Sequence, residues 1–189
     1  MINIHSVLPR SEINGPGARM VVFFQGCNRG CPGCFNPQTH SQNPNKAMTV
    51  AEIFSGYFKE PQPGSGGAVE GLTISGGEPF LQPEGLHELL KAAKVEYGLT
   101  TVVYTGYLKD ELLGKDGMEE IFSYIDVLID GPFKDEYKES SLLARGSTNQ
   151  TFHMLSNRYK EEDFLMKGKI EIIISKDGTI TRTGFSCAD

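Results

Sequence analysis

Three of the chain's four cysteines fall in one short stretch, Gly26-Cys27-Asn28-Arg29-Gly30-Cys31-Pro32-Gly33-Cys34-Phe35-Asn36. Their spacing is C-x3-C-x2-C. No other feature restricts the fold as much, because the backbone must bring three thiols to one place. Thiolates are soft ligands that favour iron–sulfur clusters, zinc or copper(I). A fully protein-held cluster or structural zinc site wants four ligands. Three neighbouring thiols therefore suggest a metal centre with one position open to an outside molecule. Gly26, Gly30, Pro32 and Gly33 supply the turn chemistry such a loop needs.

The competing reading of the triplet is a structural zinc knot completed by His40. Such knots usually stabilise domains too small for a core of their own. This chain has 189 residues, of which 39% are hydrophobic, and that suits one domain with its own core. Cys187, the fourth cysteine, has no metal-like spacing and reads as a free thiol. The net charge of −6 argues against a nucleic-acid-binding surface. No apolar run reaches the ~20 residues of a membrane helix. The start, Met1 to His5, lacks the features of a signal peptide. A cytoplasmic location is expected, where clustered cysteines indicate metal rather than disulfides.

Along the chain, residues 1–18 read as an irregular lead-in, with strong turn chemistry at Asn14-Gly15-Pro16-Gly17. Arg19 reads as a solvated surface group, with an anion-facing role as the alternative. Met20–Phe24, Leu72–Ser75, Thr101–Tyr104 and Ile125–Ile129 are short apolar runs that predict buried strands. Thr49-Val50-Ala51-Glu52 is a capping box before Ile53, Phe54, Tyr57 and Phe58 at helical spacing. Pro61 to Gly67 reads as a flexible loop. Pro83 opens a helix carrying Leu86, Leu89, Leu90 and Ala93. Shorter helical stretches cover about Lys109–Leu113 and Glu119–Tyr124. Residues 133–168 give no clear pattern. Residues 170–183 predict a terminal β-hairpin with Asp177-Gly178 at its turn.

Alternating strands and helices predict a parallel sheet with right-handed crossovers. The cysteines, Gly76-Gly77-Glu78, Thr105-Gly106 and Asp130 each follow a predicted strand. Ligands gather at the carboxyl ends of parallel strands, so these segments should converge on one site. The chain is too short for a full eight-unit barrel of roughly 250 residues, which leaves a partial barrel. His5, His40, His87 and His153 have no paired helical spacing for catalytic zinc, and no Walker-type phosphate loop is present.

On these motifs the chain resembles the radical S-adenosylmethionine (SAM) superfamily. It is most similar to the activating proteins of anaerobic ribonucleotide reductase and other glycyl-radical enzymes. Asn14-Gly15-Pro16-Gly17 with Arg19, Gly26-Cys27, Cys31 to Asn36, Thr105-Gly106-Tyr107, Asp130 to Phe133 and Leu143 to Gln150 carry the resemblance. It implies an α/β partial (β/α) barrel of the radical SAM type, with a C-terminal β-hairpin extension. The chain would form a single domain, residues 1–189, with an activase-like core at 14–150 and an extension at 152–189. Cys27, Cys31 and Cys34 would hold a 4Fe–4S cluster. Phe35, Asn36, Ser75, Gly76, Gly77, Glu78, Thr105 and Asp130 would line the SAM site, with Glu78 near the SAM amino group. Asp130 would lie near the SAM carboxylate, with a monovalent cation as a further expected ligand, and Arg145 is a second candidate there.

No catalytic residue is implied beyond the cluster and SAM. The expected partners are a glycyl-radical enzyme as protein substrate and a flavodoxin- or ferredoxin-like electron donor. No nucleic acid or membrane is expected. The alternatives are a radical SAM enzyme acting on a peptide or small molecule, and a non-catalytic iron–sulfur or zinc-binding protein.

Overall fold

The β-branched and aromatic runs form the centre of one sheet. The structure is a computed structural model that describes residues 1–59, 67–140, 143–166, 170–174, 178 and 180–184. Residues 61–66 of the loop expected from Pro61 to Gly67, Asp177 of the expected hairpin turn and Cys187 lie outside the described residues. In chain order the elements are β1 (Ile2–Ser11), β2 (Arg19–Phe24), β3 (Lys46–Met48), α1 (Val50–Tyr57) and β4 (Gly71–Gly76). Then follow α2 (Pro83–Val95), β5 (Thr100–Tyr104), α3 (Lys109–Leu113), α4 (Met118–Ser123), β6 (Val127–Asp130) and β7 (Thr151–Met154). The terminal pair is β8 (Glu171–Ile174) and β9 (Ile180–Thr183). The capping box of α1 forms as its sequence predicts: Thr49 Oγ1 accepts from Glu52 N, and Thr49 N donates to Glu52 Oε2.

Among the described residues the fold is mixed α/β, with a seven-stranded sheet in the order β3-β1-β2-β4-β5-β6-β7. The central four strands, β2, β4, β5 and β6, are parallel, as the strand–helix alternation predicts. The flanking strands β1, β3 and β7 pair antiparallel. The stretch expected to be an irregular lead-in therefore contains a strand. Its alternation is hidden because β1 carries irregular register between Ile4 and Ser6 and again between Leu8 and Ser11, where Pro9 sits. A bulge breaks the period of two and tolerates a proline. The expected terminal hairpin is present as the antiparallel pair β8–β9.

The two faces of the sheet are covered differently. Met20, Val22, Phe24, Leu72, Ile74, Val103 and Leu128 pack against Ile53 and Phe54 of α1 and Leu86, Leu89, Leu90 and Ala93 of α2. On the other face, Val102, Val127 and Ile129 pack against Ala144, Phe164 and Met166, with Phe152 and Tyr159 beside them. Residues 151–166, where the sequence showed no pattern, thus complete both the sheet and this second core. Full burial of a side chain such as Phe164 contributes about 1.5–3 kcal/mol.

Arg19 departs from its expected surface position: it is fully buried at the start of β2. Its Nε donates to Thr73 Oγ1 (2.7 Å), Nη2 to the carbonyls of Leu72 and Thr100, and Nη1 to Pro16 O, Thr100 Oγ1 and Tyr159 OH. Burial pulls its pKa down and the Tyr159 hydroxyl opposes this. A buried cation is tolerated where its donors are satisfied. Arg19 therefore ties the Asn14–Gly17 turn to the parallel strands and to Tyr159.

Asp126, just before β6, is also buried. Its carboxylate accepts from Lys94 Nζ (2.8 Å), Ser156 Oγ (2.6 Å) and Thr101 N (2.9 Å). Burial pushes its pKa up, but these hydrogen bonds and the Lys94 charge together hold it below the usual range. The sign follows by linkage. A depressed folded-state pKa adds stability above the unfolded value of about 3.9, and this is lost as pH falls through the folded value. Asp126→Asn should cost about 1–2 kcal/mol at neutral pH. Urea unfolding across pH should show the gap to wild type closing in acid. A pH-independent gap would mean that the charge of Asp126 contributes nothing.

No helix among the described residues is long and apolar enough to cross a membrane.

Candidate active site

The carboxyl ends of the parallel strands open onto a cavity of about 290 Å³. Cys27, Cys31 and Cys34 line it together with Phe35, Asn36, Ser75, Gly76, Gly77, Glu78 and Thr105. One wall is the loop after β2. Its base is fastened by Gly26 N to Thr39 O (2.8 Å) and Cys27 N to His40 O (3.1 Å). Gly26 has φ +102°, which lets the chain leave β2 and turn at once into the loop. The amides of Arg29 and Asn36 each donate to a sulfur, of Cys27 and Cys34 respectively, at 3.4 Å. Burial pushes the Cys27 and Cys34 thiols up, and these backbone N–H groups pull the other way. Bonds from N–H to sulfur favour the thiolate, the form that binds metal.

The three thiols are all half-buried around the cavity. Among the described residues, no three His, Cys, Asp or Glu side chains converge as ligands of a single ion would. The donor set fits a polynuclear iron–sulfur centre, whose irons each take their own thiolate.

A second wall is the end of β4. Gly77 N donates to Phe24 O and Glu78 N to Gly26 O, both at 2.8 Å, so this segment continues the pairing past the strand and holds the base of the cysteine loop. A Cβ on Gly77 would lie 2.2 Å from Gly26 O, so only glycine allows this approach.

Glu78 is buried, and its carboxylate is fully engaged. Oε1 accepts from Thr105 Oγ1 (2.8 Å) and Phe80 N (3.1 Å), and Oε2 accepts from Gly106 N (2.8 Å). Burial pushes its pKa up; the three donors and the nearby Arg29 oppose this. Glu78 thus clamps the end of β5 to the end of β4. Thr105 is held in turn, its hydroxyl also accepting from Tyr107 N. Arg29 stacks over the Tyr107 ring, 4.7 Å from its centroid, which joins the cysteine loop to the same strand end.

Asp130 stands apart from the other expected SAM-site residues. Its buried carboxylate accepts from Lys109 N at 2.6 Å and lies 3.0 Å from His153 Nε2, and it is not among the residues lining the cavity. It is the last residue of β6 rather than part of a turn after it. Its burial forces it to take partners from α3 and β7. Arg145 likewise serves the fold, since its guanidinium pairs with buried Glu139 and donates to Gln150 O.

Several lining residues were not singled out from the sequence. Ser6, Phe23 and Tyr104 reach the cavity from the sheet face opposite the helices. The period of two along each strand would have placed them there, given the register. Gln150, which closes the Leu143–Gln150 motif, also lines the cavity: its Nε2 donates to Gly131 O, and its Oε1 accepts from Gly146 N. This fixes a loop against Phe133, whose ring meets Phe35 edge-on at 5.1 Å.

Comparison with known proteins agrees with this geometry. Residues 13–153 match the family model of a 4Fe-4S single cluster domain, a span that includes all three clustered cysteines and the strand ends around them. The anaerobic ribonucleoside-triphosphate reductase-activating protein of Escherichia coli K12 is 34% identical over 165 residues, covering 82% of this chain and 99% of the relative. The protein of the same name from Vibrio cholerae is 32% identical, covering 80% of this chain and 97% of the relative. The pyruvate formate-lyase-activating enzyme of Clostridium pasteurianum is 40% identical over 136 residues, covering 68% of this chain and 51% of the relative. The chain therefore belongs to the radical SAM activating proteins, the 4Fe-4S single-cluster family that includes the anaerobic ribonucleoside-triphosphate reductase-activating proteins.

Proposed function

We propose that this protein is a radical SAM activase that generates the glycyl radical of an anaerobic ribonucleotide reductase or a related enzyme. The observation that carries the reading is the gathering of three thiols and the Ser75–Glu78 and Thr105–Gly106 strand ends around one cavity. Cys27, Cys31 and Cys34 would hold a 4Fe–4S cluster, and three thiolates leave one iron for SAM. With both bound, the reduced cluster would supply the single electron for reductive cleavage of SAM, and with it the hydrogen-abstracting radical chemistry that such an activase directs at a glycine of its partner.

The residues of the chain bind, orient and exclude water. Backbone N–H groups at Cys27 and Cys34 support the thiolate form. Gly77 lets the β4 end lie close to the cluster loop, and Glu78 keeps the β4 and β5 ends together. Phe35 and Phe133 offer an apolar wall that shields a reactive species from water. Ser75, Gly76, Gly77, Thr105 and Asn36 are the SAM contacts we assign to this chain. Glu78 serves them from behind, its oxygens being occupied by Thr105, Gly106 and Phe80.

We read the sheet as a partial barrel of the radical SAM type, within one domain that includes residues 151–166. Its parallel centre and the cavity at the strand ends support this. The setting we assign is cytoplasmic and anaerobic, with a flavodoxin- or ferredoxin-like protein as electron donor.

The test is to combine the reconstituted protein, SAM and reductant with the anaerobic ribonucleoside-triphosphate reductase of the same organism. Electron paramagnetic resonance should show a stable glycyl radical doublet that collapses when the reductase glycine becomes Ala. Rapid SAM cleavage without that doublet would overturn the activase reading.

A further inference from the structure

The strand β1 carries an extra residue beside the cavity. Ile4 pairs with Phe24 and Ser6 with Phe23, so one step along β2 matches two along β1. His5 is the residue left over, which makes this a β-bulge. The result is visible on both faces of the sheet. Ile2, Ile4 and Val7 pack into the helix-side core, while His5 and Ser6, consecutive in sequence, both line the cavity. A regular strand would turn one of the two away. Bulges are a common device for re-aiming a side chain at a functional site.

The imidazole is held in one tautomer. Gln25 is buried, and its Nε2 donates to Ser41 O at 2.6 Å. That bond turns Gln25 Oε1 toward His5 Nδ1, 2.9 Å away, and Asn45 Nδ2 donates to the same oxygen. A carboxamide oxygen only accepts, so His5 Nδ1 carries the proton. Nε2 is then a bare acceptor, and none of the described residues engages it. The Ser6 hydroxyl has no partner among the described residues either.

Position in the sheet says what these groups meet. In the strand order, β2 separates β1 from β4 and β5. At about 4.8 Å between neighbouring strands, β1 is roughly 10 Å from β4 and roughly 14 Å from β5. The SAM contacts we assign sit on those two strands and the cluster loop, which leaves the β1 side of the cavity to a second ligand. A glycine has no side chain, so it is recognised through backbone N–H and C=O groups. A bare ring nitrogen matches the N–H, and a serine hydroxyl matches the C=O. We propose that His5, with Ser6 beside it, is a binding contact for the reductase loop that carries the reacting glycine, Nε2 accepting a backbone N–H of that loop. The inference rests on the activase reading above.

The test compares two substitutions in the full, iron-loaded chain. His5→Asn keeps an N–H at the δ position for Gln25 and has nothing at the ε position. His5→Gln places a carboxamide oxygen at the ε position and gives up the δ donor. The reductase concentration giving half-maximal glycyl radical should rise about tenfold in His5→Asn, as when one buried N–H loses its acceptor. His5→Gln should recover most of that loss, and SAM affinity should hold in both. A role confined to the Gln25 bond predicts the reverse order, with Asn tolerated and Gln impaired, and that result would overturn the proposal. So would wild-type values in both variants. A tenfold loss of SAM affinity in His5→Asn would give Nε2 to SAM and overturn it as well.

Ser6→Val decides the matter if the His5 variants lose iron or melt early. It fills the same side of the cavity with a residue that suits a strand. The half-maximal reductase concentration should again rise, and an unchanged value would overturn the proposal. Wild-type protein that cleaves SAM but forms no radical on the reductase would instead overturn the activase reading, and this contact with it.

Discussion

Changing Cys27, Cys31 or Cys34 singly to Ala should abolish iron–sulfur absorbance after anaerobic reconstitution, and with it all SAM cleavage. The three sulfurs share one cavity, and a cluster deprived of one of three protein ligands has no substitute among the described residues. His40 also lines the cavity, but among the described residues no three His, Cys, Asp or Glu side chains gather as ligands of one ion. Cys187→Ala should keep full absorbance and activity. Iron loss in Cys187→Ala as severe as in Cys31→Ala would mean that the cluster has four cysteine ligands and no open iron. Because the loss follows from ligand count, it should appear in the absorbance of the isolated protein before any assay with SAM or partner.

How much of this was legible in the sequence depends on how local the cause was. The capping box at Thr49 and Glu52, the apolar runs of β2, β4, β5 and β6, and the glycine-rich cysteine loop are each specified within a few residues. All of them stand where the sequence puts them. The convergence of strand ends also followed, because parallel strands present their carboxyl ends on one edge.

The readings that failed concern residues whose partners are distant in sequence. Arg19 looks like a surface cation because nothing near it announces Thr73, Thr100 and Tyr159 as acceptors. The partner of Asp130 was equally hidden, because β7, which brings His153 beside it, lies in the stretch without a readable pattern. The strand β1 is obscured by its own bulges. Phe164 and Met166 give no periodic signal, since Phe164 ends a single 3-10 turn, Glu161–Phe164, too short to show a repeat, and Met166 follows it outside any strand or helix.

The site therefore has two layers of specification. The ligand-bearing residues are written in local motifs. The parts that hold them in place are spread over the chain. Glu78 shows the difference most clearly. From the sequence it is a carboxylate after a glycine pair, suited to face an ammonium group. In the structure its oxygens already hold Thr105, Gly106 and Phe80. A buried carboxylate with three donors acts as a clamp, and its contribution to SAM binding runs through the strand ends it keeps together.

Gly77→Ala is the change that best separates ligand contact from architecture. If Gly77 served only to leave room for SAM, a methyl group there would weaken SAM binding and leave the cluster untouched. The geometry gives a different expectation. The added Cβ would stand 2.2 Å from Gly26 O and 2.7 Å from Gly26 C, which is backbone of the cluster loop and has no rotamer to yield. Relief requires the loop to move away from β4, and with it the Glu78 N to Gly26 O hydrogen bond. Overpacking of this kind costs about 1–3 kcal/mol, and here the displaced segment runs directly into Cys27. Gly77→Ala should therefore lose both thermal stability and iron content, with SAM affinity falling as a consequence. Gly106→Ala is the control. Its Cβ would meet the flexible Arg29 side chain at 3.0 Å, so stability and iron should stay near wild type. Circular dichroism melting and iron analysis of the two variants decide the matter. A Gly77→Ala protein that melts like wild type and carries a full complement of iron, yet binds SAM weakly, would leave ligand contact as the sole role of Gly77 and overturn its part in the architecture.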